Sequence, residues 1–420
     1  WNTATSTVNL QQDFGDWITP GLTANIKVAF DAQNYQHLAR IKQPTQYLAT
    51  GRDDDDNLIF GAPTVVGQEN LSFSESASGT RSFYFEAVLN YARTFGKHTV
   101  GALFLYQQSQ KNITSSVETN SEKALPYRHQ GIAGRITYNF DNRYFIEGNF
   151  GYNGSENFAP EKRFGFFPSG SIGYVISEEA FMKKQKVVDY LKLRASIGLV
   201  GNDNISDNRF LYLSNSWLVD QLPSEKDYWN AYKNGYNFGF NNGNMIKGAI
   251  ESRIGNPNVS WETALKQNYG IDVNFLNNRL KVSADIFFED RKDILIKRQT
   301  IPITTNLTSN NLPVVNMGRV KNHGYEIDLK WEDVIKGKLH YYINANVSYN
   351  RNKIIFQDEV EPNEPYQWRT GQPVGTIFGY VADGFYNDSD FENGKLKEGL
   401  PKPTMDVSPG DVKYTDLNGD

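Results

Sequence analysis

The stretch Leu280-Lys281-Val282-Ser283-Ala284-Asp285-Ile286-Phe287-Phe288 decides the fold. Its even positions are all apolar, and its odd positions are mostly polar. Strict alternation of this kind gives a strand with one apolar face and one wet face. The pattern returns about a dozen times along the chain, with no convincing amphipathic helix between the repeats.

Working outward, alternating segments are expected over 5–13, 21–31, 81–92, 98–108, 128–140, 143–152, 164–176, 190–200, 265–276, 279–290, 324–331 and 339–350, with a further Gly-rich strand-like segment at 368–385. Asp141-Asn142 and Asn277-Asn278 are turn pairs of the kind that favour positive φ. Every second connection is short, while those between are mostly long, notably 32–80, 201–264 and 291–322. A soluble sandwich has no reason to sort its loops in this way, because both of its ends meet the same solvent. The reading is therefore all-β: a transmembrane antiparallel up-and-down β-barrel with short periplasmic turns and long extracellular loops.

Parity then assigns the faces. Leu191, Leu193, Ala195, Ile197 and Leu199 oppose Lys192, Arg194 and Ser196; Leu339, Tyr341, Ile343, Ala345, Val347 and Tyr349 oppose His340, Asn344, Asn346 and Ser348. The apolar sets are expected to meet lipid and the polar sets a wet lumen. Tyr138, Phe140, Tyr144, Phe275 and Trp331 fall beside the short turns, where an aromatic girdle belongs.

Composition agrees. The 420 residues are 39% hydrophobic and 14% aromatic, with mean hydropathy −0.56. No run approaches the ~18 apolar residues of a transmembrane helix, but a barrel strand dilutes its apolar signal with lumen-facing residues. The absence of Cys excludes disulfide scaffolds, cysteine–zinc sites and thiol nucleophiles. A net charge of −5 disfavours a nucleic-acid partner. The five His residues stand apart, and neither a nucleophile elbow nor a phosphate loop is present, so no enzyme activity is expected.

Several runs are more specific. Asp189-Tyr190-Leu191-Lys192-Leu193-Arg194-Ala195-Ser196-Ile197-Gly198, followed by Gly201-Asn202-Asp203, is one. Asn256-Pro257-Asn258-Val259-Ser260-Trp261-Glu262-Thr263 is a second, and Asn316-Met317-Gly318-Arg319-Val320-Lys321-Asn322-His323-Gly324 a third. Arg163-Phe164 with Phe167-Pro168-Ser169, Gly371-Gln372-Pro373-Val374-Gly375 and Pro409-Gly410-Asp411 complete the set. In this order they resemble the SusC/RagA-type TonB-dependent outer-membrane transporters of Bacteroidetes. The resemblance implies a barrel of about 22 strands with a plugged lumen. Residues 1–420 would then be part of such a β-barrel domain, with the plug domain and closing strands absent from this chain. It also implies import of a large nutrient, an oligosaccharide or a peptide, with a SusD-like surface lipoprotein, and energy coupling to TonB through the plug. The rival reading is a surface-exposed structural or adhesive β-protein without transport activity.

Two site expectations follow. Trp229, Tyr232, Tyr236 and Phe238 are candidate substrate-binding aromatics within the longest loop, where flat rings suit a sugar, a peptide or the lid. Asp416, Asn418 and Asp420 have the spacing of the first half of a calcium loop, the alternative being an Asx-rich turn without metal. No other cofactor is expected.

Overall fold

The computed structural model describes residues 2–115, 125–203, 209–214, 217–219, 235–237, 245–247, 249–251, 254–301, 312–335, 337–401 and 405–416. Twelve strands form one antiparallel sheet: β1 Asn2–Asp13, β2 Leu22–Ile41, β3 Ser72–Phe95, β4 His98–Ser115, β5 Tyr127–Phe140, β6 Tyr144–Ser155, β7 Phe164–Val175, β8 Val188–Asn202, β9 Glu262–Phe275, β10 Leu280–Lys297, β11 Val314–Ile335 and β12 Leu339–Phe356. Each strand pairs with the next in sequence, as an up-and-down barrel wall requires. Among the described residues β1 pairs only with β2, and β12 only with β11.

The register divides the whole sheet into two faces. Residues directly opposite one another in a ladder point to the same side, so one row runs Leu193, Ile271, Ala284, Ile327, Val347 across β8 to β12. The next row towards the turns runs Leu191, Val273, Val282, Leu329, Ala345. One residue out of phase, Lys192, Asp272, Ser283, Asp328 and Asn346 form a row on the opposite side. The apolar rows are exposed: Ile136, Ile172 and Ile343 keep 61–66% of their surface. Such a face is stable only in lipid. The polar rows line shallow concave grooves, one walled by Glu147, Asn149, Ser171, Ser196, Asn268 and Glu326. The apolar parity therefore lies on the convex side, and the expected orientation holds.

The apolar run from Leu280 to Phe288 ends at Asp290; its length matches the roughly 9–11 residues that carry a tilted strand across a bilayer core. The strands nevertheless continue well beyond it. β3 has 24 residues and β11 has 22, so the expected excursions 32–80 and 291–322 are shorter than the alternation suggested. Their flanks stay paired above the membrane because both faces are solvated there and the hydrophobic alternation stops while the hydrogen-bond ladder does not. The segment 42–71 carries a hairpin of its own, Gln46–Arg52 with Leu58–Val65. The expected strand at 368–385 is corrected: only Ala382–Phe385 is strand, paired with Val412–Tyr414. Its glycines Gly371 and Gly375 adopt positive φ and break the extended run.

The short turns use the residues expected of them. Asp141 and Asn142 have φ of 53° and 54°, and Asn277 and Asn278 have 58° and 61°. Segment 176–187 holds two 3-10 turns. Above the short turns an aromatic row spans four strands through His98, Phe140, Tyr144 and Tyr174. The rings of Tyr144 and Tyr174 stack at 5.1 Å. The Tyr144 hydroxyl donates to Glu179 at 2.6 Å, and Arg143 pairs with the same carboxylate at 3.2 Å. These partners, the tyrosine bond foremost, hold the Glu179 carboxyl below its ordinary range. Trp331 joins the girdle further round and donates to the Tyr341 hydroxyl at 3.2 Å.

Candidate functional site

A single-layer wall has no interior, and the one cluster of buried apolar residues among the described residues lies elsewhere. Phe158, Leu211 and Val259 are 0–3% exposed and pack with Trp261, Leu295 and Val314. Phe158 comes from the β6–β7 connection, Leu211, Val259 and Trp261 from β8–β9, and Leu295 and Val314 from the facing ends of β10 and β11, all at the long-loop end. The long loops are thus knotted together over the rim of the wall.

Polar side chains secure the knot by satisfying backbone groups that no ladder reaches. Asn316 accepts from the Ser260 N–H at 2.9 Å and donates to the Ser260 carbonyl at 2.9 Å and the Asp293 carbonyl at 2.7 Å. Asn256 donates to the Val314 carbonyl at 2.9 Å. Trp261 donates to the Arg163 carbonyl at 3.1 Å, with Phe158 and Phe167 against its ring at 5.4 and 5.2 Å. Buried Glu262 accepts from Asn202 at 2.9 Å and from the Leu295 N–H at 3.3 Å. Arg209, 4% exposed, donates to the carbonyls of Leu125 and Pro126 and lies 3.9 Å from the Tyr127 ring. Gly201 leaves room for Phe167, whose ring a Cβ at that position would meet at 2.0 Å. The runs that carried the family resemblance converge here: Arg163 and Phe167, Gly201 and Asn202, the segment 256–262, and Asn316.

Both ends of the longest loop are clamped by this knot. Asn256 N donates to the Leu211 carbonyl at 2.9 Å, and Gly255 N to the Ser214 hydroxyl at 3.1 Å. The two ends of the loop thus leave the rim from a fixed base.

Below the knot, the concave wall is polar and internally paired. Arg194 binds Asp285 through two bonds of 2.7 Å and Asp272 through bonds of 3.1 and 3.2 Å, with Ser283 between them. Arg135 meets Asn149 at 3.0 Å, and Tyr84 donates to Glu86 at 2.6 Å. Side chains already engaged with one another offer a passing solute many weak contacts and few strong ones. That suits passage rather than retention.

Of the aromatics expected to bind substrate, Trp229, Tyr232 and Phe238 lie outside the described residues. Tyr236 sits in the short strand Gly235–Asn237, paired with Met245–Lys247. Of the expected calcium ligands, Asn418 and Asp420 lie outside the described residues, and Asp416 follows the strand Val412–Tyr414. Among the described residues no group of three His, Asp or Glu is placed to hold a metal ion. The acidic run 53–56 closes a hairpin: Asp53 accepts from the N–H groups of Asp55 and Asn57. Sequence reasoning missed Arg209, Glu262 and Asn316 as anchors. Glu262 and Asn316 stood inside motifs as polar residues at positions the alternation did not require, whereas Arg209 lies in no motif and carried no such signal.

Comparison with known proteins places these features. The family described as TonB dependent receptor-like, beta-barrel matches residues 1–419. TonB-dependent receptor P39 of Formosa agariphila is 26% identical over 96% of this chain and 37% of its own length. TonB-dependent receptor SusC of Bacteroides thetaiotaomicron is 31% identical over 64% of this chain and 26% of its own length. Among solved structures, the RagAB peptide importer in its open-open state superposes with a TM-score of 0.64 at 19% identity, over 99% of this chain and 44% of that one. The chain thus spans about a third of the length of the first of these relatives, at 37%.

Proposed function

The chain belongs to the TonB-dependent receptor β-barrel family, and we propose that it forms part of the wall of an outer-membrane importer for a large nutrient, an oligosaccharide or a peptide. Members of the family are transporters of the outer membrane and not enzymes. In this reading the rest of the barrel wall and a plug come from a longer protein, since an unpaired strand edge in lipid is untenable. A SusD-like surface lipoprotein sits over the long-loop end, and TonB acts through the plug.

The observation that carries the reading is a twelve-stranded up-and-down sheet whose register sets apolar rows on the outward face and polar rows on the inward face across β8 to β12. Capture belongs to the long-loop end. The connection between β8 and β9 carries Trp229, Tyr232, Tyr236 and Phe238 in its sequence. Large, flat, rigid side chains bind sugars and peptides at low entropic cost. RagAB is a peptide importer, and its likeness to this chain favours a peptide or another extended polymer as cargo. From their spacing, Asp416, Asn418 and Asp420 would supply the first oxygen ligands of a calcium loop.

The test is uptake by cells carrying the full-length receptor with Trp229, Tyr232, Tyr236 and Phe238 all changed to alanine. Labelled oligosaccharide and peptide mixtures are supplied, and co-purifying lipoprotein is identified by mass spectrometry. Loss of uptake or of the lipoprotein, with the barrel still heat-modifiable on gels, is expected. Wild-type uptake with a wild-type complex would contradict the assignment.

A further inference from the structure

Above the apolar band on β10 to β12 the outward face becomes cationic. The row Ile286, Tyr325, Tyr349 is followed by Phe288, His323, Arg351, and then by Asp290, Lys321, Lys353. The rows share the outward side because they are direct ladder neighbours in steps of two. Lys321, His323, Arg351 and Lys353 are exposed. The single acid among them is already spent: Arg319 binds both oxygens of Asp290 at 2.9 and 2.6 Å, and Lys292 lies 3.9 Å away. On β9 the outward positions of the same rows are the neutral Gln267 and Leu265. The charge is therefore local to these three strands.

Like charges directly opposite on neighbouring strands, with Cβ atoms roughly 4.5–5.5 Å apart, repel. Lys321 against Lys353 makes such a pair, and Arg351, opposite His323, adds a third cation about 7 Å along the strands. They stand immediately above Tyr325 and Tyr349, which stack at 5.6 Å where the lipid tails end. This height is that of the headgroups of the outer leaflet. A group that satisfies the square must be anionic, multivalent and presented from the lipid side.

We infer that Lys321, His323, Arg351 and Lys353 form a docking site for the phosphate of a phosphorylated glycolipid in the outer leaflet. The aromatic pair below seats the acyl chains, and the square neutralises the phosphate. The site faces lipid rather than the lumen, so it depends on the outer-membrane placement of the chain and not on the cargo or the transport reading.

The full-length receptor is reconstituted in phosphatidylcholine nanodiscs containing either monophosphoryl lipid A or its dephosphorylated form, and retained glycolipid is counted by native mass spectrometry. The unmodified receptor should retain the phosphorylated form preferentially, and added salt should weaken that preference. Lys321→Gln and Lys353→Gln should each lower retention about fivefold. Lys330→Gln, on the opposite face, should leave it unchanged. Equal retention of the two glycolipids by the unmodified receptor overturns the proposal, even if the variants assemble poorly. So does a full-length structure in which carboxylates of the strand beside β12 pair with Arg351 and Lys353.

Discussion

Asn316 and Ser260 exchange two hydrogen bonds of 2.9 Å, one from the Ser260 N–H to the Asn316 side-chain oxygen and one from the Asn316 amide to the Ser260 carbonyl. A side chain at the foot of β11 thus stands in for a strand and closes the knot from 56 residues away. Only a primary amide offers an acceptor and two donors in this arrangement. Asn316→Asp keeps the acceptor but sets a carboxylate against the carbonyls of Ser260 and Asp293. It should therefore cost at least as much as Asn316→Ala, about 1–3 kcal/mol of local stability for each buried group left unpaired. Protease added to intact cells should cut the 203–261 loop faster in both variants while the barrel stays folded.

Trp261 separates packing from hydrogen bonding. Trp261→Phe retains a ring between Phe158 and Phe167 but loses the bond to the Arg163 carbonyl, a loss of about 1 kcal/mol. Trp261→Ala empties the centre of the knot and should cost about 3–5 kcal/mol. Hydrogen exchange across 156–163 and 254–261 should rank the two variants in that order.

The two faces predict opposite tolerances. Leu193→Arg places a charge on the lipid side within the apolar band and should lower folding stability in bilayers by about 2–4 kcal/mol. Ser196→Arg, on the lumen side of the same strand, should change it little. Urea-induced unfolding from lipid vesicles measures both.

Acid should loosen one joint before the wall. Asp358 accepts from the Thr300 hydroxyl at 2.7 Å and from the N–H groups of Gln299 and Thr300 at 2.7 and 3.2 Å, tying the β10–β11 connection to the segment after β12. These bonds, the hydroxyl first, hold its carboxyl below the ordinary 3.8. A lowered folded-state value contributes stability that is present above the unfolded value and lost as pH falls through the folded one. Exchange protection at 299–301 should therefore be flat near neutrality and fall only below about pH 4. Asp358→Asn should remove that pH dependence.

The wall was legible in the sequence because its physics is periodic. A strand between lipid and water must alternate, and Leu280 to Phe288 states that rule without exception on one parity. The tight turns at Asp141-Asn142 and Asn277-Asn278 were legible for the same local reason. Strand ends above the membrane were not, because residues such as Gln33 and Asn34 in β2 pair in water on both faces and leave no hydrophobic pattern. The knot was half legible. Asn256, Trp261 and Asn316 stood out as motif residues, yet nothing local says that the β6–β7 and β8–β9 connections meet the ends of β10 and β11 at Phe158 and Val259. That meeting is set by the order of the strands, which brings the ends of β6, β8 and β10 to one rim.

Each strand of this wall has lipid on one side and the lumen on the other. This chain has no cysteine of its own, so nitroxide labels can be placed singly on cysteines introduced at 282, 283, 284, 285, 286 and 287 of the full-length receptor in bilayers, with any cysteine outside this chain replaced by serine. Collision with oxygen, which concentrates in lipid, is then read by electron paramagnetic resonance. High oxygen accessibility is expected at 282, 284 and 286 and low accessibility at 283, 285 and 287. A reversed period, or none, would contradict this two-sided placement.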